Sequence, residues 1–421
     1  MKRVILLLIL INLANVNFSY SKWINARDPG IFEDLYAMKF INKDTGFVAG
    51  WSRYGTIMKT TNGGEDWTKK DSLPYQIFSI NTLDGNIIYA SGYSLLNNCG
   101  LWLFSTDGGS TWIPDLFDGN ENPFSFGFYT MELLNNKTFL MSGNFGIIVK
   151  TTDGGLKWDT VNTGVNNEVF TIMDFADENT GYAASGAGYD YEKIDKIYKT
   201  TDGGNNWFVI RERDSLLKIG TLKFLNPDVG YLFGKYAQKA VVMKTVDGGF
   251  NWTTNYQGRT DYMLKGGDLA NENFIIAAGE KNYSIKSTDG GQNWEEENTG
   301  GVGEGYLIVD CVDEFYGYLG ATRGLIMKYD LFLDVEEPNL YSDISLYPNP
   351  VEDFAYIKFD KINVNKYILK IYNNQGNEIL AQSGKTNSHI DLNLKYFNKG
   401  IYFYSLLING KDLINGKFIK Y

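Results

Sequence analysis

A nine-residue phrase, Lys150-Thr-Thr-Asp-Gly-Gly-Leu-Lys-Trp158, recurs along most of this chain and restricts its fold more than any other feature. It returns as Lys59-Thr-Thr-Asn-Gly-Gly-Glu-Asp-Trp67, Phe104-Ser-Thr-Asp-Gly-Gly-Ser-Thr-Trp112, Lys199-Thr-Thr-Asp-Gly-Gly-Asn-Asn-Trp207, Lys244-Thr-Val-Asp-Gly-Gly-Phe-Asn-Trp252 and Lys286-Ser-Thr-Asp-Gly-Gly-Gln-Asn-Trp294. The first glycines fall at 63, 108, 154, 203, 248 and 290, a spacing of 42 to 49 residues. A unit that short cannot bury a core alone, so neighbouring units must pack on one another in series.

A looser phrase, an acidic turn and then Gly-aromatic-small-small-Gly, precedes each copy. Asp44-Thr-Gly-Phe-Val-Ala-Gly50 and Asn226-Pro-Asp-Val-Gly-Tyr-Leu-Phe-Gly234 show it, and it occurs seven times, once more than the first phrase. Between the turns each unit divides into four short strands; in the fourth these are 169–175, 181–184, 196–200 and 207–211. Four antiparallel strands per unit at this period predict the blades of a propeller. The seventh unit lacks its fourth strand, and Trp23-Ile-Asn-Ala-Arg-Asp-Pro-Gly30 has the spacing of one. The expected fold class is therefore all-β: a seven-bladed β-propeller over 22–331, closed by the N-terminal strand pairing beside Gly324 to Lys328. Residues 332–343, acidic and broken by Pro338, read as a linker. Residues 344–421 carry alternating strands of their own and predict a small Ig-like β-sandwich.

Residues 1–21, with Lys2 and Arg3 ahead of a short apolar run and Ser19-Tyr-Ser21 at its exit, have the pattern of a secretory signal peptide. No later stretch has transmembrane length. A net charge of -11 with dispersed acids argues against nucleic acid as a partner. The two cysteines, Cys99 and Cys311, can pair only if their Cα atoms come within about 7 Å.

The Asp-Gly-Gly turn has a local purpose: its carboxylate accepts backbone N–H groups and its glycines supply positive φ. A structural role is thus expected for Asn62, Asp107, Asp153, Asp202, Asp247 and Asp289, and for Trp67, Trp112, Trp158, Trp207, Trp252 and Trp294. One carboxylate per blade cannot converge on an ion, so no metal is expected. Ser/Thr-x-Asp-x-Gly-x-x-Trp, as Ser105 to Trp112 and Ser287 to Trp294 show it, resembles the Asp-box of BNR-repeat propellers. These include sialidases, sortilin-type receptors, xyloglucan-active endoglucanases and the photosystem II assembly-factor family. The accompanying Gly-Tyr-x-x-Gly phrase looks most like the last.

A second resemblance lies at the C-terminus. Leu346-Tyr-Pro-Asn-Pro-Val351, Ile371-Tyr-Asn-Asn-Gln-Gly376, Gly400-Ile-Tyr-Phe403 and Lys417-Phe-Ile-Lys420 look like the sorting domain of type IX secretion cargo in Bacteroidetes. That resemblance implies the type IX machinery as a partner of residues 344–421, and a cell-surface or secreted destination.

His389, the only histidine, lies outside the repeats, so imidazole-dependent catalysis has no candidate there. No cofactor motif is present. A glycosidase needs only carboxylates and survives that test, although the arginine triad of sialidases could come only from residues such as Arg53, Arg259 and Arg323. The reading is a non-catalytic binding protein for an extracellular glycan or protein. Its alternative is a sialidase-like or endoglucanase-like hydrolase using top-face carboxylates, and a third reading is an envelope assembly factor. Trp51, Arg53, Tyr54 and Arg323 are the candidate ligand-binding residues, because first and last blades adjoin. The wider connections add Tyr93, Phe128, Phe145, Tyr236, Arg259, Tyr262 and Tyr283, among others.

Overall fold

The computed structural model describes residues 22–26, 34–51, 55–117, 127–165, 168–185, 196–212, 214, 216–299, 305–314, 316–330, 344–359, 366–373, 378–386, 388–408 and 412–421. The expected signal peptide and linker lie outside these residues, as do Arg53 and Tyr54. The chain divides into two compact units with the boundary between Leu331 and Phe332.

The larger unit contains seven four-stranded antiparallel sheets. In the fourth, Phe170–Phe175, Gly181–Ser185, Lys196–Thr200 and Phe208–Arg211 follow in sequence order. The first strand of every sheet is innermost. Asp34–Phe40, Tyr75–Thr82, Phe128–Leu133, Phe170–Phe175, Leu217–Phe224, Leu264–Leu269 and Tyr306–Cys311 each pack on the next, and the last returns to the first. The sheets therefore close into a ring. The seventh is completed from the other end of the unit: Lys22–Ala26 pairs antiparallel with Ile326–Asp330, Trp23 opposite Tyr329 and Ala26 opposite Ile326.

The cores lie between successive sheets. Tyr231, Phe233 and Val242 of the fifth meet Ile275, Ala277 and Ile285 of the sixth, all essentially fully buried. Where the ring closes, Met38, Phe40 and Val48 of the first sheet meet Tyr318 and Ile326 of the seventh, with Ala26 from the closing strand. Each such side chain contributes about 1.5–3 kcal/mol on burial. Since every sheet buries both faces this way, no sheet is stable without its neighbours.

The repeated turns show how the phrase works. In the fourth sheet Thr200 Oγ1 donates to Asp202 Oδ1 (2.8 Å) and accepts from Gly204 N–H (3.0 Å), while the same Asp202 oxygen accepts Asn206 N–H (2.9 Å). The arrangement repeats at Asp107, Asp153, Asp247 and Asp289, and Asn62 Oδ1 accepts the equivalent bonds from Thr60 and Asp66. Both glycines have positive φ, 70° and 84° in this turn. The tryptophan closes the turn: Trp207, Trp252 and Trp294 donate from the indole to the second glycine carbonyl at 2.8–3.1 Å.

The phrase also reaches across to the next sheet. Lys59, Lys199 and Lys244 donate to the carbonyls of Gly108, Gly248 and Gly290 in the following turns, and Lys150 donates to Asn205 Oδ1. Tyr182, Tyr231 and Tyr318 of the second phrase donate to Pro227, Gly290 and Lys43 carbonyls. One repeat thus specifies both its own turn and its seat on the neighbour.

The C-terminal unit has a three-stranded sheet, Ile344–Tyr347, Phe354–Phe359 and His389–Asn393. Its four-stranded sheet runs Glu378–Gly384, Tyr367–Asn373, Gly400–Ile408 and Asp412–Lys420 in spatial order. Both contribute to one core that includes Ile357, Leu369, Ile390, Leu406 and Phe418. Strict alternation of buried and exposed residues along Phe354–Phe359 follows the period-two pattern of the sequence. Ile344–Tyr347 and Glu378–Gly384 are strands that sequence patterning passed over. Cys99 lies in the second sheet and Cys311 in the seventh, and no disulfide joins them.

Candidate functional site

Every innermost strand of the ring carries a β-bulge at the same level. The pairing register with the second strand slips between Leu35 and Ala37, Ile77 and Ser79, Phe128 and Thr130, Phe170 and Ile172, Ile219 and Thr221, Leu264 and Gly266, and Tyr306 and Ile308. The residues caught in the slip are Tyr36, Phe78, Tyr129, Thr171, Gly220, Lys265 and Leu307. A bulge re-aims the extra side chain and interrupts alternation. Here six extra side chains, with Gly220 at the seventh position, form an upper tier at the end of the strands opposite the Asp-Gly-Gly turns.

On the first three sheets this tier is aromatic. Tyr36 meets Phe78 edge-on with ring centroids 6.0 Å apart, Phe78 meets Tyr129 at 5.0 Å, and Trp51 lies 6.4 Å from Tyr36. Burial raises the pKa of the Tyr36 and Tyr129 hydroxyls, with Asp34 adding to the effect at Tyr36. Both remain neutral donors at physiological pH. The arc is thus a curved apolar wall with polar tips.

Of the candidate residues, Trp51 belongs to this arc, at the end of Gly46–Trp51 and opposite Asp34. Arg323 lies beside it. Its backbone N–H donates to Asp34 Oδ1 (3.1 Å), joining the seventh sheet to the first, and its side chain is exposed. Arg323 sits at φ 59°, ψ 29°, a left-handed conformation that costs a non-glycine residue free energy and recurs where a side chain must be displayed. Phe145 has the same conformation in the corresponding turn of the third sheet and is 44% exposed.

Tyr36, Phe78 and Tyr129 were not singled out as ligand-contacting positions by sequence. Each sits between an apolar and a small residue, a signal indistinguishable from ordinary strand alternation until the bulge is seen.

Three residues past each bulge, seven equivalent positions form a lower tier beside the Asp-Gly-Gly face: Lys39, Asn81, Glu132, Asp174, Lys223, Asp268 and Asp310. Lys39 Nζ reaches Asp310 Oδ1 on the preceding sheet (3.2 Å), while Phe40 N–H donates to the other oxygen (2.5 Å). Lys223 and Phe224 hold Asp174 in the same way, at 3.0 and 2.7 Å. Cys311 N–H donates to Asp268 Oδ2 (2.8 Å). Inner edge strands have unpaired N–H groups, and these carboxylates satisfy them from the sheet before.

The electrostatics follow from that crowding. Asp310 raises the Lys39 pKa and Asp174 raises that of Lys223. Burial pushes Glu132 up to about 8, with Asp174 and Asp268 adding to the rise and Lys223 and Lys39 opposing it.

A third cluster joins the fifth and sixth sheets. Arg259 donates twice to Glu296 Oε2 (2.9 and 2.6 Å) and lies over the rings of Tyr262 and Tyr283, while Lys281 covers Tyr262 at 4.6 Å. Arg259 and Arg323 therefore sit in different parts of the ring, Arg259 committed to Glu296. Among the described residues no group of three His, Cys, Asp or Glu side chains is arranged to hold a metal, and no helix is long and apolar enough to cross a membrane.

Residues 345–421 match the family described as the secretion system C-terminal sorting domain. The chain is thus cargo of the type IX machinery, directed to the cell surface or the extracellular space. The photosystem II assembly lipoprotein Ycf48 of Synechococcus sp. (strain CC9902) is 24% identical over 304 residues, 69% of this chain and 84% of the relative. Solved structures agree on the fold. Ycf48 bound to a D1 peptide superposes with a TM-score of 0.59 at 19% identity, covering 75% of this chain and 98% of its own. A xyloglucanase from Xanthomonas campestris gives 0.57 at 12% identity, covering 94% of this chain and 68% of its own. The fold is a β-propeller resembling that of the photosystem II assembly factor, and these similarities carry the fold alone.

Proposed function

We propose that the exported chain is a non-catalytic binding protein that holds an extracellular ligand at the upper tier of its propeller. The observation that carries this reading is the arc Trp51, Tyr36, Phe78 and Tyr129, assembled from three sheets by three successive bulges. Aromatic walls with hydroxyl tips suit sugar faces and peptide side chains alike. Carboxylates near the same end are already engaged: Asp34 by Arg323 N–H, and Glu168 by Ser185, by Tyr198 at 2.7 Å and by Lys196 at 3.0 Å. Hydrogen bonds from Ser185 and Tyr198, with Lys196, lower the Glu168 pKa despite the opposing effect of burial, so it is a poor general acid. The residues 1–21 would serve as the export signal, and a Bacteroidetes host fits the sorting tail.

The test is an array of glycans and peptides probed with the secreted protein and its Tyr129→Ala variant. Binding that is lost in the variant supports the reading; binding unaffected by it places the ligand elsewhere.

Glu132 supports a second reading, a hydrolase. A carboxyl near pKa 8, raised in part by the neighbouring Asp174 and Asp268, has the make-up of a general acid with further carboxyl groups beside it. Release of reducing sugar from xyloglucan or of sialic acid from sialyl conjugates, abolished by Glu132→Gln, would replace binding by catalysis as the main activity. The third reading, assembly of an envelope complex, would appear as a protein captured on the peptide arm.

A further inference from the structure

We infer that the upper tier binds an oligosaccharide of amino sugars, its rings stacked along the aromatic arc and one ammonium group held by Asp34. This rests on the binding reading above and adds the chemistry of what is bound.

Asp34 stands at the head of the arc. It lies directly opposite Trp51 in the ladder between the first two strands of the first sheet, so the two side chains share a face. The Trp51 ring in turn lies 6.4 Å from that of Tyr36. Burial is the larger cause of the raised Tyr36 hydroxyl pKa and the Asp34 charge adds to it, so that charge is felt at the tip of the ring. The six positions equivalent to Asp34, two residues before each bulge, are Gln76, Gly127, Val169, Lys218, Met263 and Gly305. The first sheet alone sets a carboxylate there, at the end of the arc that carries tryptophan.

Folding makes limited use of that carboxylate. Arg323, in its left-handed turn, directs its backbone N–H at Oδ1 (3.1 Å), which orients the group and leaves its charge in place. No described lysine or arginine side chain forms an ion pair with Asp34. The lower tier differs, since Asp310 and Asp174 each hold a lysine. Asp34, Tyr36 and Trp51 are all partly exposed, so a ligand reaches them from solvent. A net charge of -11 draws cations toward the protein as a whole.

An amino sugar matches this corner. Its ammonium donates charge-assisted hydrogen bonds to the second Asp34 oxygen and sits against the faces of Trp51 and Tyr36, where the ring quadrupole attracts a cation. Its C–H groups pack on aromatic carbon. A single lysine side chain of a peptide would fill the corner only. Phe78 and Tyr129 continue the wall across two more sheets, with ring centroids 6.0 Å and then 5.0 Å along, and successive sugar rings of one chain use all of it.

The experiment is titration calorimetry of the full secreted chain with a glucosamine hexamer, at a pH where its amines are protonated, with the N-acetylglucosamine hexamer, and with hexalysine. The amine should bind on the order of tenfold or more tighter than the acetylated oligomer, since acetylation removes a charged hydrogen bond. Asp34→Asn should abolish that preference with an unchanged melting temperature, because the amide oxygen still accepts the Arg323 N–H. Should Asp34→Asn melt lower, the parent protein decides alone: its preference for the amine must shrink as salt rises. Tyr129→Ala should weaken both oligomers, and Tyr129→Phe should retain most of the stacking and so control for misfolding. Equal affinity for the two oligomers, or a preference that survives Asp34→Asn, overturns the proposal. So does hexalysine that binds where the glucosamine hexamer does not, although that outcome leaves the binding reading standing. Failure of every probe here and on the array removes both.

Discussion

Tyr36 and Lys39 lie three positions apart, and the same interval recurs in all seven inner strands, yet the two tiers they define answer different physical demands. In the lower tier, Asp174 and Asp310 each hold a lysine and a backbone N–H of the next sheet. Those charges are consumed in joining sheets. In the upper tier, aromatic rings touch one another and Arg323 is displayed on a strained turn. Where a structure satisfies its polar groups internally it has little left to offer a ligand; where it presents an aromatic wall with polar tips, a ligand has a surface to pack against. The contrast assigns stability to one end of the strands and recognition to the other.

The comparison breaks most easily in the lower tier. Asp174→Ala removes the partner of both Lys223 and the Phe224 N–H, and should cost roughly 3–5 kcal/mol in urea unfolding, nearer the lower figure because Lys223 keeps a third of its side chain exposed. A loss below about 1 kcal/mol would show that channel water replaces the carboxylate. Tyr129→Ala, in the upper tier, should cost less stability, about 1–2 kcal/mol for a half-buried ring, while weakening ligand binding. If its stability loss matched that of Asp174→Ala, the division into tiers would fail.

Glu132 sharpens the comparison through pH. Its folded pKa is raised to about 8 from 4.5, so the unfolded chain binds fewer protons between those values. Stability from this group is complete below about pH 4.5 and is lost as pH rises through about 8. Glu132→Gln should flatten that decline in unfolding free energy measured from pH 5 to 8, and an unchanged slope would reassign it. Arg323→Gly relieves the left-handed turn but adds freedom to the unfolded chain, so stability should move by no more than about 0.5 kcal/mol. Ligand binding at the upper tier should fall nonetheless.

The smallest effect is expected at the repeated turn. The Asp107 pKa is held down to about 2, chiefly by Thr111 N–H and hydroxyl, so its contribution is present above the ordinary carboxylate range and lost as pH falls through about 2. Asp107→Asn should melt as the parent does at pH 7, as the natural Asn62 turn implies, and should lose the acid-side dependence of that one group.

Much of the fold was legible because its determinants are local. The Asp-Gly-Gly turns need particular φ values and side-chain acceptors within five residues, so their spacing reports sheet boundaries directly. In the fourth sheet, strand limits read from sequence fall within a residue of those observed. Closure by Lys22–Ala26 was legible for a related reason: a seventh unit without a fourth strand must find one. The lysines that open the phrase at Lys59 and Lys199 carried no such signal, because their partners lie in the next sheet about fifty residues away.

The candidate site divides along the same line. Trp51 and Arg323 could be chosen because first and last sheets adjoin in any closed ring. Tyr36, Phe78 and Tyr129 could not, since a bulge adds one residue to a strand without altering its composition, and its side chain changes direction only through pairing with the strand beside it. The sequence alone determined the repeat, the ring, its closure and the sorting tail, all written in short-range patterns. Only the tertiary structure decided that seven bulges share one level and that Lys39, Asp174, Lys223, Asp268 and Asp310 below them lock sheets together, because both depend on residues far apart in the chain meeting across sheets.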